Sequence, residues 1–291
     1  MKQLPFLNDA AGPRSVLDSS AAATTLSAAT PAVADPRRPA IIVPVQATAP
    51  DEIARQCSAI ADTGAVDVIE WRIDPVIAGI TKSRDPKPGA ADPQGLAEAV
   101  LGFASHVSAA GLPVLITLRT GYEGGSAEVS EEDYTEILRA IITGLAGITS
   151  GAVWALDVEI DRGGAAELIG AAHNHGISVV ASHHNFAGTD SAEALATMFA
   201  AMAEAGADVA KIAMMPTSSA DVAELLRSTA LAEDDLEIPV LGISMGQLGR
   251  ASRVMGADFG SCATFAQLGE SSAPGQIAVA DLAGMIDRLY G

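Results

Sequence analysis

Short apolar runs alternate with longer amphipathic segments from about residue 40 to residue 291. Runs of this kind are typical of strands buried on both faces, and the amphipathic segments are long enough for helices. The runs predict strands at 40–46, 66–70, 113–118, 153–158, 177–182, 208–212, 239–243 and 258–262. The segments between them predict helices at 50–63, 93–110, 131–144, 164–175, 191–205, 218–231, 247–255 and 276–290.

Strands that alternate with helices across short links are expected to be parallel, and eight such units close a barrel. An open doubly wound sheet would be expected to have a glycine-rich turn after its first strand. Residues 46–50, Gln-Ala-Thr-Ala-Pro, contain no glycine. We therefore expect an α/β protein with a single (β/α)8, TIM-type barrel over residues 40–291, with a long loop at 74–92.

The first 39 residues differ from the rest of the chain. They are rich in Ala, Ser, Thr and Pro and show no sustained periodicity, and Asp9 and Asp18 interrupt any signal-peptide core. This composition predicts a flexible N-terminal extension, residues 1–39.

Composition narrows the classes of function. Apolar residues make up 49% of the chain, and 36 acidic against 17 basic residues give a net charge of −19. This charge argues against binding to nucleic acids or to anionic membranes, and an anionic substrate would need local arginines. Cys57 and Cys262 match no metal or redox spacing, so we expect reduced thiols in a cytoplasmic protein. No apolar run approaches the roughly 20 residues of a membrane helix.

Lys211 stands in the middle of the apolar run 207–216. Transfer of an ammonium group into a medium of low dielectric constant costs so much that a buried lysine tends to lose its proton. A neutral amine attacks carbonyl groups, so Lys211 is a candidate for a Schiff base. Alternatively, its side chain reaches solvent at the end of the strand or pairs with a carboxylate.

Polar residues end six of the eight predicted strands. In such barrels the chemistry lies at the carboxyl ends of the strands, so these residues predict a site. They are Glu70 and Arg72, then Arg119 with Glu123, then Asp157 and Glu159, His183 and His184, Lys211, and Ser244 followed by Arg250 and Arg253.

This set of groups suits proton abstraction beside a ketone that is held as an imine. The protonated imine withdraws electrons, and a histidine removes the acidified proton and returns one to a leaving hydroxyl. A carboxylate would orient the histidine, and arginine would bind a substrate carboxylate.

Some polar residues of these strands have other interpretations. His183 faces away from His184 on an extended strand, so it is expected to pack or to form hydrogen bonds outside the site. Glu70 and Arg72 share a face and could form a structural ion pair. Asp157 and Glu159 also share a face, and a structural role is as consistent with the pattern as contact with a ligand.

Taken together, these motifs resemble the type I 3-dehydroquinate dehydratases, the Schiff-base dehydratases of the shikimate pathway. The resemblance spans most of residues 40–291. It rests on Glu70-Trp71-Arg72, Arg119 with Glu123-Gly124-Gly125, Ser182-His183-His184-Asn185-Phe186, Lys211-Ile212-Ala213 before Pro216, Ile243-Ser244-Met245-Gly246, Ser252-Arg253, Phe259-Gly260-Ser261, and Ser272-Ala273-Pro274-Gly275-Gln276.

The resemblance implies a carbon–oxygen lyase of aromatic amino acid biosynthesis that converts 3-dehydroquinate to 3-dehydroshikimate. It implies that Lys211 forms the imine, that His184 is general base and acid, and that Glu123 partners His184. It assigns binding of the substrate to the following residues: Glu70, Arg72 and Arg119 at the ring hydroxyls, and Arg253, Ser272 and Gln276 at the carboxylate. It further implies a small-molecule substrate, no metal or organic cofactor, and a homodimer.

Three other functions stay open at this point. A class I aldolase or transaldolase would use the same lysine to cleave C–C bonds, with Gly246, Gly249 and Gly256 as a weak indication of a phosphate site. A metal-dependent barrel enzyme would use Glu70, Asp157, Glu159 and His184. A non-catalytic relative would bind dehydroquinate or quinate, but such a protein would be expected to lack Lys211 or His184.

Overall fold

Eight parallel strands form the centre of the computed structural model, which describes residues 1–9, 38–83, 92–148, 151–269 and 272–291. The barrel strands are β1 (Ala40–Val45), β2 (Val68–Arg72), β3 (Val114–Thr117), β4 (Trp154–Glu159), β5 (Ser178–Asn185), β6 (Val209–Met214), β7 (Val240–Ser244) and β8 (Ala263–Gln267). A short ninth strand, β9 (Ile277–Ala278), pairs with β8.

Helices follow the strands along the described parts of the chain. They are α1 (Pro5–Asp9), α2 (Pro50–Asp62), α3 (Asp74–Ser83), α4 (Pro93–Leu101), α5 (Ala104–Ser108), α6 (Glu131–Leu145), α7 (Ala165–His173), α8 (Ala192–Glu204), α9 (Ser219–Asp235), α10 (Arg250–Met255) and α11 (Val279–Tyr290). None of the helices in the described ranges is long and apolar enough to cross a membrane.

The ring of strands closes between β7 and β8. Neighbouring strands pair in the order β7 to β1 and then β8, and β8 pairs with β1 through Ala40 and Ala263. The Cys262 N–H donates to the Val240 carbonyl at 2.9 Å, and a parallel bridge joins Val240 to Ser261. The predicted (β/α)8 barrel is therefore confirmed.

The eighth strand was predicted in the wrong place. Residues 258–262 were expected to form it, but Gly256–Phe259 is a 3-10 helix and β8 begins at Ala263. Gly260, with φ of +89°, ends this helical turn in a conformation that favours glycine. The strand therefore lies about five residues later than predicted, which puts Phe265 inside the barrel.

The loop predicted at 74–92 is wrong in its first half. Residues 74–83 form helix α3, which buries Val76 and Ile77. Pro75 is the second residue of this helix, where its missing N–H costs nothing, so here proline marks a helix start rather than a loop. Residues 84–91 of the predicted loop lie outside the described residues.

The start of the predicted N-terminal extension packs against the barrel. Leu4 and Phe6 are each 1% exposed and join the apolar cluster inside the ring of strands. The Lys2 N–H donates to Glu233 Oε1 on α9 at 2.9 Å. Burial of the two apolar side chains stabilises this contact by about 1.5–3 kcal/mol each. Residues 10–37 of the predicted extension lie outside the described residues.

The barrel interior contains its own apolar cluster, separate from the core between strands and helices. Every barrel strand contributes to it, with members that include Ile42, Val68, Leu115, Ala155, Val180, Val209, Leu241 and Ala263. Several members lie at the first residues of their strands, at the amino-terminal end of the barrel. The cluster also reaches Ala213 on β6 and Ile243 and Met245 at the end of β7, so apolar and polar side chains share the carboxyl end of the barrel.

Candidate active site

Strand register brings Lys211 and His184 to the same face of the sheet. On β6, Lys211 pairs with Ser182 of β5, and His184 follows Ser182 by two residues. Side chains two residues apart on a strand point the same way, so both groups face the barrel interior. Both line one pocket at the carboxyl ends of the strands.

Lys211 is buried rather than extended into solvent. Its side chain is 5% exposed, and Nζ lies 4.7 Å from the centre of the Phe265 ring and 3.7 Å from Asp157 Oδ2. Burial is the largest influence and lowers the pKa of Lys211, with support from Arg119 and against opposition from Asp157. The sequence predicted this direction from the burial of the lysine. The amine is therefore biased toward its nucleophilic form.

His184 is paired with a carboxylate. Its Nδ1 lies 2.8 Å from Glu123 Oε2. Burial holds the pKa of His184 well below its usual range, and the nearby cations Arg119 and Lys211 lower it further. A neutral ring that donates from Nδ1 to Glu123 leaves Nε2 as a proton acceptor, which is the form a general base needs.

Glu123 is placed by a tight turn after β3. It ends the 3-10 helix Gly121–Glu123, and Gly124 follows with φ of +79°. A Cβ on Gly125 would lie 1.9 Å from the Arg119 carbonyl oxygen, so only glycine fits there. Burial raises the pKa of Glu123 to about 8, although Arg119 lowers it.

Arg119 is surrounded by carboxylates. Its NH1 donates to Glu123 Oε2 at 2.7 Å and to Glu159 Oε1 at 3.1 Å, and its NH2 donates to Asp157 Oδ1 at 2.7 Å. Burial alone would lower the pKa of Arg119, but these three carboxylates raise it. Arg119 lines the pocket, as expected of a substrate contact. It also holds together the carboxylates of two segments, the turn that contains Glu123 and strand β4.

Glu70 and Arg72 both line the pocket, but among the described residues they form no ion pair with each other. Arg72 instead binds Asp74 through two parallel hydrogen bonds, of 2.7 and 2.9 Å. Glu70 Oε1 accepts a hydrogen bond from Thr117 Oγ1 at 3.1 Å. The open question of a Glu70–Arg72 pair is thus resolved in favour of Asp74, which fixes the arginine fork beside the pocket.

Arg253, Ser272 and Gln276 meet on the other side of the pocket. Arg253 NH2 donates to the Pro274 carbonyl at 3.0 Å, while its buried Nε has no hydrogen-bond partner among the described residues. The Gln276 amide donates to Ser272 Oγ at 3.0 Å. Burial lowers the pKa of Arg253 to about 10, which an anionic ligand beside it would counteract.

The structure brings all nine predicted site residues to one pocket: Glu70, Arg72, Arg119, Glu123, His184, Lys211, Arg253, Ser272 and Gln276. The sequence places Phe265 just after the predicted eighth strand and gives it no role, because that strand was predicted too early. It also left Asp157 undecided between structure and ligand. Asp157 Oδ2 is buried without a hydrogen-bond partner in the described chain and lies 3.7 Å from Lys211 Nζ.

The metal-dependent alternative finds no support in this geometry. Asp157 and Glu159, two of its four ligands, are bound to Arg119. Within the described ranges, the side chains close enough to share a cation are instead Glu123, Asp161 and His183. His183 Nδ1 and Asp161 Oδ2 are 2.6 Å apart, which is a hydrogen-bond distance. A cation bound between these two atoms would have to replace that hydrogen bond.

Comparison with known proteins gives consistent matches over the barrel. The sequence profile of the family described as Type I 3-dehydroquinase matches residues 41–290. The 3-dehydroquinate dehydratase of Lactiplantibacillus plantarum is 36% identical over 254 residues, which are 87% of this chain and 93% of the relative. That of Klebsiella pneumoniae strain 342 is 37% identical over 254 residues, covering 86% and 92%.

Comparison with solved structures gives matches to the same kind of enzyme. The 3-dehydroquinate dehydratase of Geobacillus kaustophilus superposes with a TM-score of 0.74 at 30% identity, over 86% of this chain and 91% of that one. The type I enzyme of Clostridium difficile, solved with covalently modified comenic acid, gives a TM-score of 0.73 at 29% identity, over 87% and 92%.

Proposed function

The chain belongs to the type I 3-dehydroquinase family, and we propose that the pocket at the carboxyl ends of its strands performs the family's reaction with the side chains described above. The protein eliminates water from 3-dehydroquinate to give 3-dehydroshikimate through a lysine imine, a lyase reaction of the shikimate pathway. The observation that carries the assignment of residues is a buried amine and a carboxylate-bound imidazole in one pocket.

Substrate binding is assigned to the two sides of the pocket. Arg253, Ser272 and Gln276 would hold the substrate carboxylate, because the buried Nε of Arg253 is a donor without a partner in the described chain. Glu70 and Arg72, together with Arg119, would contact the ring hydroxyls from the opposite side. This orientation would direct the C3 ketone to Lys211.

Imine formation would begin with attack of the neutral Lys211 amine on C3. The carbonyl oxygen leaves as water after protonation, and a protonated imine remains. Asp157 Oδ2, 3.7 Å from Nζ, is the buried carboxylate placed to stabilise that positive charge.

Elimination would then be carried out by His184. Its Nε2 takes the proton from C2, and the electron pair of that C–H bond moves toward the imine nitrogen to form an enamine. The pair then returns to form the C1–C2 double bond while the C1 hydroxyl leaves as water with the proton from His184. Hydrolysis of the imine releases the product and the amine.

The direct test follows the ultraviolet absorbance of the conjugated enone after purified protein is mixed with 3-dehydroquinate in the presence of a chelator. We expect the absorbance to rise with 3-dehydroquinate and to stay flat with quinate, which has no C3 ketone. A flat trace with both compounds would overturn the proposed function. Turnover that a chelator abolishes would instead favour the metal-dependent alternative.

We further propose a cytosolic homodimer whose catalytic unit is residues 40–291. Cys57 and Cys262 are both free and buried, which fits a reducing compartment. Met255 on α10, and Met285 and Leu289 on α11, are 43–49% exposed, and large apolar side chains of this kind suit a contact between copies. Sedimentation velocity of the purified protein tests this proposal, and a monomer at micromolar concentration would contradict it.

A further inference from the structure

His183 lies behind the Glu123–His184 pair and does not line the pocket. It sits on β5 between Ser182 and His184, and its side chain is 15% exposed. Three carboxylates face its ring. Nδ1 lies 2.6 Å from Asp161 Oδ2 and 3.9 Å from Glu123 Oε1, and Nε2 lies 3.8 Å from Asp190 Oδ2. The sequence pattern predicted hydrogen bonding outside the pocket for this residue, but not its proximity to Glu123.

Within the described ranges, Glu123 uses only one of its two oxygens in hydrogen bonds. Oε2 accepts from Arg119 and pairs with His184, whereas Oε1 is buried with no hydrogen-bond partner in the described parts of the chain. Oε1 is also the oxygen that faces His183. An ionised carboxylate with a bare, buried oxygen is costly unless a positive charge lies nearby.

The protonation of Glu123 decides which tautomer His184 adopts. Burial raises the pKa of Glu123 to about 8, and the neighbouring carboxylates Glu159, Asp157 and Asp161 act in the same direction. Arg119 is the cation that opposes them. A protonated Glu123 would donate to His184 Nδ1, and the ring hydrogen would then sit on Nε2, where it blocks acceptance of the C2 proton.

We propose that His183 is a positioning residue for the dehydration, in which Asp161 fixes the ring so that its cationic form lies against Glu123 Oε1. This charge keeps Glu123 ionised and thereby keeps His184 in the tautomer that accepts the substrate proton. The proposal rests on the proposed function, because it concerns the general base of that reaction. Burial does most to lower the pKa of His184, and a positive charge on His183 adds to it. Both effects of this charge would keep His184 able to accept a proton at lower pH.

The test compares the pH dependence of kcat/KM for the wild type, His183→Asn and His183→Lys. Loss of the positive charge raises the pKa of Glu123 and His184, so the acid limb of the His183→Asn profile should move up by about one pH unit. Activity below the limb should fall about tenfold and recover at higher pH. A lysine restores a positive charge, so the His183→Lys limb should lie close to that of the wild type.

A matched control is His173→Asn, which removes another histidine that is paired with a carboxylate, Asp208, at 2.8 Å. Its profile should coincide with that of the wild type. If the asparagine variant does not fold, His183→Gln makes the same test.

Three results would contradict the proposal. They are an unchanged limb in the neutral variants, an equal loss at every pH, and the same shift in His183→Lys. The last two would indicate a packing role. A wild-type protein that shows no turnover at any pH would instead contradict the proposed function, so the two failures are distinguishable.

Discussion

Apolar side chains fill the barrel interior at the amino-terminal end of its strands, whereas charged and apolar side chains share the carboxyl end. At the first end, which we call the closed end, Leu4 and Phe6 pack among the apolar side chains inside the ring of strands. At the second end, Lys211, Arg119 and Glu123 are as deeply buried, at 1–4% exposure. The same kind of strand therefore buries opposite kinds of side chain within a few residues of its length.

The difference separates what stabilises the fold from what performs the chemistry. Apolar burial at the closed end contributes favourably at any pH, because no charge is involved. Burial at the charged end opposes stability, since each ion must be compensated by a partner. Burial also creates the shifted pKa values that the reaction needs. The requirements of stability and of catalysis therefore conflict only at the carboxyl end.

The strongest test of this separation is Lys211→Ala. Loss of the amine removes the only covalent step assigned to the pocket, so turnover of 3-dehydroquinate should fall by on the order of 10⁴-fold or more. The fold should persist, because the apolar end of the barrel is untouched. Enone absorbance and thermal unfolding measure the two effects, and retention of a tenth of the activity would refute the role of Lys211.

His184→Ala should act on the next step only. Loss of a general acid–base catalyst should slow elimination by about 10²–10⁴-fold, while Lys211 still forms the imine. Mass spectrometry after borohydride reduction detects that imine. If the variant turns over substrate at the wild-type rate, His184 has no part in the mechanism.

Arg119→Met probes the stability of the charged end. The substitution leaves Glu123, Asp157 and Glu159 buried without this cation, so the free energy of unfolding should fall by about 3–5 kcal/mol. Urea denaturation measures the change. A variant as stable as the wild type would show that the carboxylates need no compensation from Arg119.

Phe6→Ala should have the complementary effect at the closed end. The free energy of unfolding should fall by about 3 kcal/mol, because a fully buried aromatic ring is lost, while kcat stays unchanged. Leu231→Ala on α9, 48% exposed, is the matched control and should change stability by less than about 0.5 kcal/mol. A large loss of kcat with little loss of stability would contradict the separation of the two ends.

The sequence predicted the barrel because seven of its strands are compact apolar runs between amphipathic helices. It predicted the pocket because parallel strands bring their polar ends to one rim, which turned residues far apart in the chain into neighbours. The residues at β2, β3, β5 and β6 could therefore be selected without coordinates.

Errors arose where local signals were ambiguous. Pro75 stands in the first turn of α3, inside the stretch predicted as a loop. Gly260 separates a 3-10 helix from β8 in a stretch predicted as a strand. Packing of Leu4 and Phe6 could not be predicted, because two apolar residues in a short segment give no periodic pattern. The contact of His183 with Glu123 depends on side-chain directions across two segments, which periodicity does not specify.

The central claim is that a buried, uncharged Lys211 captures the substrate ketone. Borohydride added during turnover of 3-dehydroquinate reduces the imine to a stable amine, and peptide mapping then locates the label. We predict a single adduct on the peptide that contains Lys211, with none when quinate replaces 3-dehydroquinate. A label on another residue, or no label while the enzyme is turning over, would contradict the claim.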